Sequence, residues 1–219
     1  MLAMRTLALA VAIWGVSLTA AGQSSPGAAD VAKQVQTHYN GVRDFVADFT
    51  QSYKSPIGRQ STQDRGRVRI KKPGRMWWEY KGQKSQVVAD GSQLYTYLPE
   101  DRKLYVAPLP KTDEASSAMM FLAGRGDLLR DFTPSLAADQ PAGSWRLDLT
   151  PKTPQADFKT LTLIVNRATL ALEGLVTTDD AGGVTTYDFT NLKENTGLAD
   201  GEFVFNISKI PKDVEVIRK

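Results

Sequence analysis

Residues 65–80 read RGRVRIKKPGRMWWEY, and this stretch predicts two antiparallel strands joined by a turn around Pro73. In the first strand basic side chains alternate with small and apolar ones, which is typical of a strand with one face in water. In the second strand Met76, Trp78 and Tyr80 share one face, so the apolar surface continues across the turn. The stretch therefore predicts a broad apolar wall whose opposite face is basic.

Short strands of the same kind are predicted on both sides of this stretch. They cover residues 45–53, 86–89, 93–98, 104–107, 144–149, 161–166, 170–177, 184–191 and 202–205. Turn residues separate them, and Asp90-Gly91 is the strongest hairpin signal in the chain. The sequence shows no repeat of solenoid period and no crossover helix between strands. The predicted fold class is therefore mainly β, with about eleven strands in one curved antiparallel sheet.

Two segments are predicted to be helical. The first follows Asp30, a suitable N-cap residue, and ends near Gly41; its apolar stripe indicates a helix packed on a sheet. The second covers 114–122 and contains the run MMFL. We favour a core helix here over an adaptable flap above a cavity, although Met suits irregular volumes and Gly124 and Gly126 permit movement.

The concave face of such a sheet needs a cover, because a large twisted sheet curls and exposes an apolar inner surface. Two helices barely suffice for this. We therefore predict a concave apolar surface that the protein's own side chains fill incompletely, as in open barrels that enclose ligands. An apolar ligand would complete the core.

Residues 1–22 are predicted to form a secretory signal peptide. Arg5 precedes a short apolar run that is followed by small residues, which is the pattern of a cleaved leader rather than of a membrane span. Cleavage is expected before Gln23, with cleavage after Ala21 as the alternative. Because no Cys follows the run, we expect no N-terminal lipid anchor. We predict that residues 23–219 form a single soluble domain outside the cytoplasm.

The composition excludes much enzyme chemistry. The chain of 219 residues has no Cys, and His38 is its only histidine, which argues against disulfides, thiolate or multi-histidine zinc sites and a Ser-His-Asp triad. We assign His38 no role, and we expect no metal, no cofactor and no catalytic residue. Loss of Arg5 with the leader lowers the formal charge from +3 (27 basic minus 24 acidic residues) to +2 (26 minus 24).

Several short motifs follow one another in a characteristic order. They are a basic pair before Pro73, an aromatic patch ending in Trp, VVADG followed by LYTYLP, MMFLAG, LTPK at 149–152 and a final FVF. This order resembles the LolA family of periplasmic lipoprotein carriers, and the resemblance implies an unclosed β-barrel with helices as a lid. It also implies a monomeric carrier of triacylated lipoproteins, which an inner-membrane ABC transporter releases and an outer-membrane acceptor, where one exists, receives. The related acceptor LolB carries a lipidated N-terminal Cys that this chain lacks.

The resemblance also implies a latch between the predicted turn and the lid. Family members carry Lys-Arg-Pro before the turn, with the Arg thought to bridge to the lid. Here the sequence is Lys71-Lys72-Pro73, so Lys72 takes the place of that Arg. Because Lys has no planar fork of donors, we expect a weaker or differently arranged latch. Ala118, where family members often have Pro, is a second departure.

Carriage of acyl chains implies a cavity lined by aromatic and methionine side chains. The predicted acyl-chain-binding residues are Phe45, Phe49, Met76, Trp78, Tyr95, Tyr97, Met119 and Phe121. The basic strand face comprises Arg65, Arg67, Arg69 and Lys71. We favour a solvated outer face that discourages strand-to-strand aggregation. The functional alternative is an electrostatic dock for an acidic patch on the transporter or for anionic headgroups.

Other functions compete with carriage. An enzyme acting on an apolar molecule would use acidic side chains, and the candidates are Glu79, Asp90, Asp179 and Asp180. Turn formation already explains most of these. Nucleic-acid binding by basic residues beside Trp77 and Trp78 is disfavoured by secretion and by the nearly neutral charge. A periplasmic sensor of stray lipoproteins is a third alternative, because a fold does not fix a function.

Overall fold

The computed structural model describes residues 26–57, 61–109, 118–155 and 157–219. The predicted signal peptide and its cleavage site before Gln23 lie outside the described residues, as does the predicted start of the second helix at 114–117. No helix within the described ranges is both long enough and apolar enough to cross a membrane.

One sheet of twelve strands forms the body of the protein, one strand more than predicted. The strands are β1 (Asp44–Lys54), β2 (Ser61–Lys71), β3 (Arg75–Tyr80), β4 (Gln86–Asp90), β5 (Gln93–Leu98), β6 (Lys103–Pro108), β7 (Phe132–Leu136), β8 (Ser144–Pro151), β9 (Thr160–Asn166), β10 (Leu172–Thr178), β11 (Val184–Glu194) and β12 (Glu215–Arg218). Their order across the sheet is β12-β6-β5-β4-β3-β2-β1-β11-β10-β9-β8-β7. The edges β12 and β7 do not pair with each other, so the barrel is unclosed. The pairs are antiparallel except for β12, which runs parallel to β6.

The sequence pattern misses two strands and misassigns one segment. β7 contains Pro134, which argues against a strand, but β7 is an edge strand and tolerates the missing donor. β12 is short and half charged, so its alternation carries little signal. The strand predicted at 202–205 is wrong: the chain forms the 3₁₀-helix Asp200–Phe203 there, because it packs across the back of the sheet instead of extending it.

The described residues form α-helices α1 (Ala28–Gly41), α2 (Ala118–Leu122) and α3 (Leu128–Asp131). α1 begins after Gly27 instead of Asp30, and Asp30 lies in its first turn, where its charge complements the positive end of the helix dipole. α3 is not predicted by periodicity because it has one turn only. The side chain of its N-cap Asp127 accepts hydrogen bonds from two amides of that turn.

The main core lies on the concave face of the sheet, beneath α1 and α2. Val31, Ala32 and Val35 of α1 are buried there, in one cluster with Phe121 of α2 and the inner face of the strands. Removing apolar surface from water contributes roughly 25 cal/mol per Å². This burial is the principal attraction that holds the helices on the sheet.

The segment after β11 crosses the convex face of the sheet. The buried carboxylate of Asp44 fixes its start by accepting hydrogen bonds from the amides of Thr196 at 2.6 Å and Gly197 at 3.1 Å. Further along, Phe203 is fully buried, and the 3₁₀-helix that contains it contacts β3 and β4. Both faces of this part of the sheet are therefore covered.

Candidate functional site

The inner face of β3 carries Met76, Trp78 and Tyr80. Trp78 lies opposite Val68 of β2 and Val87 of β4. Met76 is 1% exposed and Trp78 is 0% exposed, so the alternation in the sequence identifies the buried face correctly. The apolar wall predicted from residues 65–80 is present.

An aromatic cluster forms where β1, β3 and β11 face the interior. Its members are Phe49, Trp78, Tyr80, Tyr187 and Phe189. The ring of Phe49 lies 5.1 Å from those of both Trp78 and Tyr80, and the Trp78 and Tyr187 rings are 5.4 Å apart. Gly66 gives Phe49 its space, because a Cβ there would lie 2.6 Å from the Phe49 ring. Sequence reasoning missed Tyr187 and Phe189, although the alternation in 185–189 was a usable signal.

Tyr95 and Tyr97 do not belong to this face, and the prediction that they line the same cavity as Trp78 is wrong. Tyr95 pairs with Val88, and Val88 pairs with Trp77, so Tyr95 shares the face of Trp77. On that convex face the ring of Phe205 lies 5.1 Å from Tyr95 and 6.1 Å from Tyr97. The register between β4 and β5 decides the face, and sequence alternation does not specify that register.

The remaining predicted lining residues belong to the main core or pack against it. Phe45 and Phe121 are buried, and Met119 is partly buried against the same core. The ring of Phe121 stacks on Tyr39 of α1 at 5.9 Å and meets Phe132 edge-on at 6.3 Å. The residues of α2 therefore pack against α1 over the sheet, which is the arrangement expected of a core helix.

Side chains of the described residues pack closely beneath α1 and α2, and the incompletely filled concave surface stays a prediction. A cavity of about 20 Å³ remains between the helices and β9–β11, which is room for about one water molecule. Its walls are apolar apart from His38 and Glu194, whose Nε2 and Oε1 atoms lie 3.0 Å apart. His38 thus links α1 to β11, a contact that the sequence did not indicate.

Lys72 lies between the turn and the two helices. Its Nζ donates a hydrogen bond to the backbone carbonyl of Tyr39 and lies 4.1 Å from the centre of the Tyr39 ring. The hydroxyl of Tyr39 in turn donates to the carbonyl of Leu122 at the end of α2. Burial lowers the pKa of Lys72, and the nearby charge of Glu194 opposes that shift. The turn also holds α2 directly, because the Gly74 amide donates to the Ala123 carbonyl at 2.8 Å.

The basic strand face divides into two halves. Arg65 and Arg67 are exposed. Arg69 stacks over Trp77 at 5.0 Å, while Lys71 lies 2.5 Å from the Asp200 carboxylate. The segment after β11 therefore occupies the half nearest the turn, and the other half remains in solvent.

A groove opens at the end of the sheet far from the lid. Its volume is about 390 Å³. Tyr80 and Val87, both direct neighbours of Trp78 on the inner face, form part of its wall. The polar residues of the wall are Gln51, Thr62, Gln63, Asp64, Gln83 and Ser85. The groove thus joins the aromatic cluster to solvent through a mostly uncharged polar rim.

Two of the acidic residues considered for catalysis, Asp90 and Asp179, stabilise turns. Asp90 accepts hydrogen bonds from the amides of Ser92 and Gln93, both at 2.8 Å. Asp179 accepts one from the amide of Gly183, also at 2.8 Å. Within the described ranges no three acidic or histidine side chains are grouped so as to hold a metal ion. These contacts support the structural interpretation of both aspartates.

Comparisons with known proteins agree with this architecture. A family model described as "Outer membrane lipoprotein carrier protein LolA" matches residues 40–206. An outer-membrane lipoprotein carrier protein of Chromohalobacter salexigens is 29% identical over 99% of both chains. One of Bordetella avium is 31% identical over 81% of this chain and 82% of its own.

A solved structure supports the fold alone. An uncharacterized conserved protein from Thermus thermophilus superposes with a TM-score of 0.51 at 16% identity, covering 88% of this chain and 99% of its own. The family model covers most of the strands of the unclosed sheet and α2, together with the turn that contacts the lid. This chain belongs to the LolA family of outer-membrane lipoprotein carrier proteins.

Proposed function

We propose that the protein is a periplasmic carrier that binds the acyl chains of lipoproteins and delivers them toward the outer membrane. The observation that carries this proposal is a buried aromatic cluster on the inner face of an unclosed sheet, covered by helices that a small number of polar contacts hold in place. Family membership and the relatives named as lipoprotein carriers support it. The mechanism exchanges apolar surfaces and needs no covalent step.

The physical need for such a carrier follows from the size of acyl chains. Each methylene transferred from water to an apolar site contributes about 0.8 kcal/mol, so one long chain left in water costs on the order of 10 kcal/mol. Three chains make unaided crossing of an aqueous compartment prohibitively slow. A carrier must replace the water around the chains and then give them up, which a displaceable lid permits.

The lid latch at Lys72 is part of this proposal. The ammonium group of Lys72 contacts both the carbonyl and the ring of Tyr39. Its aliphatic stem packs beside Gly124, just after α2. The side chain of Lys72 thus contacts both α1 and the residue that follows α2. These contacts support the proposal that Lys72 has the latch role that the resemblance implies for the family Arg. Because a Lys makes one directed bond here instead of a bidentate one, we propose that the lid opens more readily than with Arg.

Partner docking is proposed for the exposed half of the basic strand face. Arg65 and Arg67 are in solvent beside the end of the sheet where the groove opens. Charges placed there would guide the mouth of the carrier toward an acidic patch on an inner-membrane lipoprotein-releasing transporter. Arg69 and Lys71 contribute less to this surface, because the chain's own acidic residues already contact them. An outer-membrane acceptor would approach the same open end.

The docking proposal is tested by the salt dependence of binding to membranes that contain the transporter. We expect the double substitution Arg65→Ala, Arg67→Ala to weaken binding several-fold at low ionic strength, with the difference vanishing at high salt. Lys159→Ala, which removes an exposed charge next to β9, is the matched control. If the double variant binds as tightly as the wild type at low salt, the two arginines have no docking role and only form a solvated outer face.

The carrier function is tested by placing a charge in the aromatic cluster. We expect Phe49→Glu and Trp78→Glu to abolish loading of a triacylated lipoprotein, because an unpaired carboxylate at a fully buried position is strongly disfavoured. Loading is measured by release of the lipoprotein from inner-membrane vesicles into the soluble fraction. Thr190→Glu, at an exposed position of β11, should load normally. Normal loading by folded Glu variants would contradict the proposed site.

A further inference from the structure

One polar atom of the aromatic cluster has no hydrogen-bond partner in the part of the chain that the structure describes. Trp78 is fully buried, and its indole Nε1–H has no hydrogen-bond acceptor among the described residues. Buried N–H groups in folded proteins are nearly always paired, and an unpaired one destabilises the fold. An unpaired donor at the centre of a candidate binding site therefore indicates a group that the ligand supplies.

The tyrosine hydroxyls near Trp78 interact with groups of the protein itself. Those of Tyr80 and Tyr187 interact with each other, and burial raises the pKa of both tyrosines. The hydroxyl of Tyr39, near the lid, donates to the Leu122 carbonyl. Within the aromatic cluster, the indole N–H of Trp78 is thus available to donate a hydrogen bond to a ligand.

The position of Trp78 fits the head of a bound chain. Tyr80 and Val87 line the open groove, and Trp78 lies directly opposite Val87 and two residues inward from Tyr80. At about 3.3 Å per residue, this places Trp78 about 7 Å further along the strand than Tyr80. Beyond it, Met76 and Ile70 continue an entirely apolar surface toward the lid.

We propose that the Trp78 indole N–H donates a hydrogen bond to a carbonyl oxygen of a bound acyl chain. This rests on the proposed carrier function and adds to it a specificity-determining residue: the Trp78 indole would distinguish ester- or amide-linked acyl chains from alkyl chains. An acyl group has a carbonyl acceptor at its head, whereas an alkyl ether has none. The hydrocarbon tail lies toward Met76, and the polar remainder of the cargo lies in the groove among neutral amide and hydroxyl groups such as Gln63 and Ser85.

The neighbouring tryptophan provides a matched control. The Nε1 of Trp77 is also buried and has no acceptor among the described residues. Trp77 points to the convex face, where its ring lies 6.5 Å from that of Phe205. Trp77→Phe therefore removes the same kind of N–H from the same strand without changing the aromatic cluster.

The test compares two lipids that differ in the carbonyls alone. The purified protein is titrated with dipalmitoylglycerol, an ester, and with dihexadecylglycerol, the corresponding ether, and each affinity is obtained by displacement of a fluorescent fatty acid. We expect the wild type and Trp77→Phe to bind the ester about tenfold more tightly than the ether. Trp78→Phe should bind the two lipids alike, so its ester-to-ether affinity ratio should fall to about one, whatever the smaller ring does to each affinity by itself.

Each other outcome overturns the proposal. Equal affinities in the wild type would mean that the indole makes no bond to the ligand, for example because water satisfies it. A preference retained by Trp78→Phe would place the carbonyl elsewhere. Failure of both lipids to bind the wild type would overturn the carrier function as well. If Trp78→Phe does not fold, the ¹⁵N-labelled indole resonance of wild-type Trp78 decides: it should move downfield with the ester and not with the ether.

Discussion

At the scale of single residues, Lys72 is the side chain on which the lid depends most directly. We expect Lys72→Leu to lower the free energy of unfolding by about 1–2 kcal/mol, since it removes one hydrogen bond and one cation–π contact with Tyr39. In this variant, both the hydrogen exchange of the α1 amides and the release of a bound lipoprotein should become faster. In Lys72→Arg, exchange and release should both be slower than in the wild type.

The control for this prediction is Lys33→Leu, which removes an exposed Lys from the same helix that the latch holds. It should leave exchange and release unchanged. If Lys72→Leu and Lys72→Arg both exchange and release like the wild type, then Lys72 is not a latch, and the other contacts of α1, such as the packing of Val31 and Val35, hold it in place.

At the scale of elements, the end of α2 depends on a glycine. Gly124 has φ of +78°, and a Cβ there would overlap the side-chain carbons of Lys72. Gly143 has a similar φ of +82° but nothing within 4 Å of a Cβ. Gly143→Ala should therefore cost only the backbone strain, about 1 kcal/mol. Gly124→Ala should cost more, because Lys72 must also leave its place on Tyr39.

Chemical denaturation of both variants measures this difference. In the Lys72→Ala background the excess cost of Gly124→Ala should disappear, because the two substitutions act on one contact and are not additive. If Gly124→Ala and Gly143→Ala lower the free energy of unfolding equally, a side chain at position 124 does not displace Lys72.

At the scale of the whole molecule, the cavity of about 20 Å³ between α1, α2 and β9–β11 is too small for an acyl chain. Under the proposed function, we therefore expect a chain that binds there to move α1 and α2 away from the sheet. We expect hydrogen exchange in α1 to increase when a triacylated lipoprotein is bound, while β8 and β9 remain protected. Unchanged or slower exchange in α1 on loading would mean that the chains bind elsewhere.

Much of the architecture was predictable because it depends on local periodicity. The alternation in 65–80 identifies the inner residues Met76 and Trp78, since side chains of a strand point to opposite faces in turn. The signals of the lid helices are also local, namely an apolar stripe in α1 and the run at 119–122. The extra strand β12 and the 3₁₀-helix Asp200–Phe203 were not predictable, because pairing and packing with distant segments produce them.

The sequence by itself thus determined the class of sheet, the buried face of β3 and the position of the turn at Lys72, because each follows from the order of neighbouring residues. Only the tertiary structure decided that Tyr95 and Tyr97 face outward, that Arg69 and Lys71 contact the chain's own C-terminal segment, and that Tyr187 joins Phe49 and Trp78 in one aromatic cluster. These features depend on strand register and on contacts between residues far apart in the chain, and residue periodicity does not encode either of them.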